Sequence, residues 1–146
     1  MFERILVLCT GNICRSPVAG AMLAAQLPHK HVETAGLNAL EGRGVEARAR
    51  ALAEGAGLDV SAHEARQVTS EILQGADLVL VMSDGQRLAV GQLDPAALGK
   101  TMLLGRWLDG GQGREIPDPY RKSQEAFQQV HKLLTEATDS WIGKLG

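Results

Sequence analysis

Residues 4–17 read Arg4-Ile5-Leu6-Val7-Leu8-Cys9-Thr10-Gly11-Asn12-Ile13-Cys14-Arg15-Ser16-Pro17. Residues 4–9 are a short apolar run of strand formers and read as a buried strand. Beyond the glycine the pattern turns helical, with Ser16 suited to the N-cap and Pro17 to the first helical position. A strand, a tight loop and a helix start therefore meet at one thiol and one guanidinium. Successive backbone N–H groups and the positive end of the helix dipole favour an oxyanion there. The loop lacks the Gly-Lys-Ser ending of a nucleotide-binding loop, and its first position is a nucleophile.

Outward from this stretch, apolar strand-like runs alternate with helical ones. The first helix is expected over 17–27 and ends at Pro28; a second strand follows over 32–36. Residues 37–44 form a surface loop. Residues 45–56 read as a helix with Glu46 and Arg50 at i, i+4 spacing. A short helix over 70–74 leads into a doubly buried strand at 77–82 and a helix over 83–93. Asp94-Pro95 begins a turn or short helix, and 101–104 make a fourth strand. The glycine-rich 109–113 reads as a flexible loop. From Ser123 the last helix carries Phe127, Val130, Leu134, Ala137, Trp141 and Leu145 on one stripe. Such alternation gives an α/β fold, a doubly wound four-stranded parallel sheet flanked by helices on both faces. Ligands in such sheets bind beyond the carboxyl ends of the strands, where Cys9 lies.

The 146 residues fit one domain, 1–146, large enough for a real core. A net charge of −2, without runs of like charge, argues against nucleic acid or an anionic membrane as partner. Apolar runs are too short for membrane insertion, and Met1-Phe2-Glu3-Arg4 is unlike a signal peptide, so a cytoplasmic location is expected. The two cysteines make no disulfide framework. Buried free cysteines are often only small hydrophobes, but a Gly-Asn pair between these and an arginine after them point to chemistry. His29 and His31 lack a third ligand, so no metal site is expected.

A phosphate monoester suits this loop. Arg15 can grip two phosphate oxygens, and the amides of residues 10–16 can hold the equatorial oxygens where transition-state charge collects. Such surroundings favour the thiolate of Cys9 without a histidine partner, and the Ser16 hydroxyl can reach back to the sulfur. Displacement by sulfur gives a cysteinyl-phosphate, and the leaving group then needs a proton from outside the loop. Asp118, between Pro117 and Pro119, is the candidate. Asp-Pro alone is usually a turn; Tyr120, the one tyrosine, beside it can stack on an aromatic ring.

Together, Cys9-x5-Arg15-Ser16-Pro17 and Asp118-Pro119-Tyr120 resemble the low-molecular-weight protein tyrosine phosphatases, over essentially the whole chain. Residues 116–123, Ile-Pro-Asp-Pro-Tyr-Arg-Lys-Ser, further resemble the bacterial branch associated with capsule and exopolysaccharide export. The resemblance implies Cys9 as nucleophile, Arg15 as phosphate clamp and Asp118 as acid, then base. It implies substrate contacts from Thr10, Gly11, Asn12, Ile13, Cys14, Ser16, Leu40 and Tyr120, and loop support from Asn12, Ser16, Thr34 and His63. On residues alone, His63 reads as structural. It also implies reversible pairing of Cys14 with Cys9 on oxidation, no cofactor, and a phosphotyrosine protein as partner, namely a bacterial tyrosine autokinase. Leu40 stands where relatives often carry an aromatic wall, and Ser83-Asp84 where some carry aspartate directly after the strand methionine. Three other readings compete. A non-catalytic phosphotyrosine-binding module would use the same loop. An arginine phosphatase would carry threonine at Ile13. An arsenate reductase would need further cysteines downstream.

Overall fold

The computed structural model describes residues 2–146. Its strands are β1 (Arg4–Cys9), β2 (His31–Gly36), β3 (Leu78–Val81) and β4 (Thr101–Leu103). Its α-helices are α1 (Arg15–Gln26), α2 (Ala47–Gly55), α3 (Ser70–Gln74), α4 (Asp84–Leu93) and α5 (Gln124–Leu145). Short 3-10 turns cover Pro95–Lys100 and Asp109–Gly111.

The sheet is parallel throughout, ordered β2-β1-β3-β4. Alternation along the strands sorts side chains between two cores. Ile5, Val7 and Cys9 of β1, with Leu78 and Leu80 of β3, face the layer of α1, α2 and α5. Leu6 and Leu8, with Val79 and Val81, face α3, α4 and the turn after α4. Both faces are covered, which is why β3 is apolar throughout and β1 is apolar from Ile5 to Cys9. The stripe on α5 is buried throughout, and Trp141 donates from Nε1 to the Leu104 carbonyl at 2.7 Å. β1 has β2 on one side and β3 on the other, so the chain reverses its direction of winding at β1. A crevice opens at such a reversal, beyond the strand's carboxyl end. Cys9 is at that end.

Two glycines set close approaches. A Cβ on Gly20 of α1 would lie 2.5 Å from Thr34 Cγ2, so the residue lets α1 settle on β2. A Cβ on Gly36 would lie 2.6 Å from the Thr10 carbonyl oxygen, and the loop after β1 passes through that space.

Three local expectations change. Ser16 is not the N-cap of α1; Cys14 holds that position, without a side-chain cap bond, and Pro17 is the third helical residue. Pro17 is tolerated because the first-turn N–H groups have no helical partner. Glu46 does not pair with Arg50: it lies in extended backbone before α2, where its carboxylate accepts from Arg48 N–H, and Arg50 instead meets Glu54 at 3.1 Å. Residues 109–113 form a wound turn, closed by Gly113 N–H to the Leu108 carbonyl and Arg114 N–H to the Gly105 carbonyl, each at 3.0 Å.

Candidate active site

The loop from Cys9 to Ser16 turns at Asn12, whose φ of +58° lies in the left-handed region. Asn12 is fully buried, and every polar group of its side chain is used. Its Oδ1 accepts from Arg66 N–H at 3.0 Å, so the Nδ2 protons face the other way, to Ser16 Oγ at 2.7 Å and Thr34 Oγ1 at 3.1 Å. Its carbonyl accepts from His63 Nε2 at 2.7 Å, which makes that ring nitrogen the protonated one. These bonds offset the conformational cost of a non-glycine residue at positive φ.

Ser16 accepts from Asn12, which leaves its own proton for Cys9 Sγ, 3.0 Å away. The Ser16 backbone N–H also points to the sulfur, at 3.4 Å. Ser16 is the second residue of α1, and this is the physical reason it does not cap: its hydroxyl is committed to the thiol. Two donors aimed at one sulfur suit a sulfur carrying negative charge.

Arg15 is almost wholly buried. One terminal nitrogen donates to the Ile116 carbonyl at 2.7 Å, and the other lies 3.6 Å from Asp118 Oδ2. Its Nε is buried with no hydrogen-bond partner among the described residues. Ile116 in turn donates its N–H to the Met82 carbonyl at the end of β3, at 2.9 Å. The segment bearing Asp118 is thus anchored to the sheet and to the arginine at its root. Beyond the root it rises into solvent: the Asp118 side chain is 46% exposed, and Oδ1 accepts from Tyr120 N–H at 3.0 Å. Tyr120 sits under the Arg121 guanidinium, 5.3 Å from the ring centroid. Hydrogen bonding from Arg121 and then Arg43 holds its phenol below the usual range.

These groups enclose a cleft of about 180 Å³, lined by Cys9, Thr10, Gly11, Ile13, Cys14, Arg15, Asn38, Leu40, Asp118 and Tyr120. Leu40 and Tyr120 supply apolar wall; sulfur and guanidinium lie at the base. Asn12, Ser16, Thr34 and His63 line none of it and lie behind the loop. Cys14 is buried, and burial first, then the neighbouring Cys9, pushes its thiol up to about 12. It stays a neutral thiol at physiological pH.

Several supporting residues carry no local sequence signal. Arg66 bonds Asn12 through its backbone, the Thr34 carbonyl through Nε at 2.9 Å and Glu33 through its terminal nitrogen at 2.7 Å. Gln67 accepts from Ala39 N–H at 2.9 Å and donates to the Leu37 carbonyl at 2.8 Å, fixing the loop that carries Leu40. Gln86, at the start of α4, reaches Thr10. Arg66 and Gln67 stand beside His63 in sequence, and a polar run ahead of so short a helix was their one available sign. Ser83 caps α4 by accepting from Gln86 N–H, and Asp84 N–H donates to Glu115, so neither enters the cleft.

The family model for low molecular weight phosphotyrosine protein phosphatase matches residues 4–146. The chain belongs to this family. Among curated relatives, the low molecular weight protein-tyrosine-phosphatase Etp of Escherichia coli K12 is 41% identical over 144 residues, 99% of this chain and 95% of Etp. The solved tyrosine phosphatase Wzb from Escherichia coli K30, in complex with sulphate, superposes with a TM-score of 0.96 at 44% identity, covering 100% of both chains. Wzb from Vibrio vulnificus, in complex with benzylphosphonate, gives 0.94 at 44% identity over 99% of this chain and 100% of that one. The phosphatase family also accounts for the doubly wound parallel sheet. Among the described residues no helix is long and apolar enough to cross a membrane.

Proposed function

We propose that this phosphatase hydrolyses phosphotyrosine in proteins through a cysteinyl-phosphate, with Cys9, Arg15 and Asp118 as its catalytic groups. The observation that carries the reading is the meeting of a doubly hydrogen-bonded sulfur, a buried guanidinium with an unpartnered Nε and a half-exposed carboxylate in one cleft walled by Leu40 and Tyr120. The phenyl ring lies between the two walls and the phosphoryl group descends to the loop. Cys9 Sγ attacks phosphorus as the bond to the phenolic oxygen breaks, and the protonated Asp118 carboxyl gives that oxygen its proton. Arg15 and the loop amides hold the equatorial oxygens throughout. Water then attacks phosphorus, Asp118 takes its proton, and sulfur leaves as a thiolate stabilised by Ser16. That two Wzb relatives form complexes with sulphate and with benzylphosphonate supports a site that takes a tetrahedral anion and an aromatic group.

As partner we propose a bacterial tyrosine autokinase of capsule or exopolysaccharide export, met in the cytoplasm; the resemblance of residues 116–123 to that branch supports it. Phosphate release from phosphotyrosine, phosphoserine and phosphoarginine peptides, measured side by side, tests the reading. Phosphotyrosine should be faster by about a hundredfold or more, because an oriented ring converts binding into rate. Preference for phosphoarginine would overturn it, and stoichiometric binding without release would make the protein a recognition module.

A further inference from the structure

We propose that the Thr10 hydroxyl is an additional donor to the phosphoryl group and that Gln86 is the positioning residue that aims it. Gln86 sits in the first turn of α4 and is 8% exposed. Its Oε1 accepts from Met82 N–H at 2.8 Å; a backbone N–H requires an acceptor, so the amide orientation is fixed. Nε2 then faces Thr10 Oγ1 at 3.3 Å and donates to it. The hydroxyl accepts that bond, and its own proton turns elsewhere.

The same logic holds on the other side of the nucleophile, where Asn12 donates to Ser16 and Ser16 donates to Cys9. Two amides thus orient two hydroxyls that flank Cys9, one serving the sulfur. The other opens on the substrate side. Thr10 is exposed and lines both the catalytic cleft and a wider adjoining one of about 550 Å³. The residues common to both clefts are Thr10, Arg15 and Asp118. A proton delivered at that junction, beside the guanidinium, meets a phosphoryl oxygen.

This inference rests on the proposed function but is read separately from it, by calorimetric binding of inorganic phosphate alongside turnover. Thr10→Val should weaken phosphate binding and lower kcat/KM, each by about tenfold, the size of one hydrogen bond to a charged group. Thr10→Ser should recover most of both. Gln86→Glu keeps an acceptor for Met82 N–H but makes Thr10 donate to the new carboxylate, so it should reproduce Thr10→Val. The double variant should be no worse than either single one. Unchanged phosphate affinity in Thr10→Val would overturn the donor. Additive losses in the double variant would overturn the positioning role, since they would come from the added charge. Loss of phosphotyrosine turnover in the wild type would sink the proposed function while leaving the phosphate-binding arm readable.

Discussion

The phosphate loop and the arm that brings Asp118 to it are built on opposite plans. In the loop, Asn12, Arg15, Ser16 and Cys14 are all buried, and bonds arrive from Thr34, His63 and Arg66 as well as from within. The arm is buried at Ile116 and Pro119, but between them its carboxylate stands 46% exposed on a few local bonds. The difference suits the tasks proposed for them. Donors that stabilise developing charge work best when already in place, because any reorganisation is added to the barrier. A carboxyl that gives a proton to one molecule and takes one from the next must meet solvent between the two steps.

That contrast can be broken most sharply at the sulfur. Cys9→Ser should cost about 10⁴-fold or more in turnover, while phosphate binding, which belongs to the amides and Arg15, changes little. Surviving turnover would exclude a covalent route. In the arm, Asp118→Asn should cost about 10²-fold or more for phenols that leave poorly and far less for those that leave well. A uniform loss would assign the arm to binding. Its thermal stability should match wild type, because the side chain is half exposed.

The loop should behave in the reverse manner. Asn12→Ala leaves buried donors and acceptors without partners and keeps the positive φ, a cost of about 3 kcal/mol seen in denaturant unfolding, together with slowed catalysis. Full stability in that variant would show that the loop's shape does not depend on this network. The smallest effect concerns Cys14. Its thiol keeps its proton in the folded chain up to about 12, whereas the unfolded chain releases it near the ordinary value. The folded state therefore binds more protons between those limits, and stability falls as pH rises through them. Relative to Cys14→Ala, the wild type should lose about 1–2 kcal/mol between pH 9 and pH 10.5. Equal losses would show that Cys14 is open to water.

What was legible in the sequence depends on how far apart the partners lie. Doubly buried strands announce themselves through unbroken apolar runs, as at Leu78-Val79-Leu80-Val81, and α5 through its stripe. Cys9, Arg15 and Asp118, the proposed nucleophile, clamp and acid, could be picked from the sequence because the chemistry demands those residue types in those settings, and the fold brings them to one cleft. The supports were not. Gly20 makes sense only once α1 rests on Thr34, and Arg66 or Gln86 only when the fold brings them to Asn12 and Thr10. Ser16 misled for a related reason: a hydroxyl at a helix start usually serves the helix, and here a sulfur seven residues earlier holds the prior claim. Glu46 and Arg50 have helical spacing, but Glu46 lies one residue outside the helix.

The bond from Arg15 to the Ile116 carbonyl spans 101 residues, and it bears on how the protein is made. In chain order Cys9 leaves the ribosome before Thr34, His63, Arg66 and Ile116. Until Ile116 emerges, the Arg15 guanidinium lacks the carbonyl that holds it. The cleft therefore closes only after residue 116 has been made, 101 residues behind the arginine at its base.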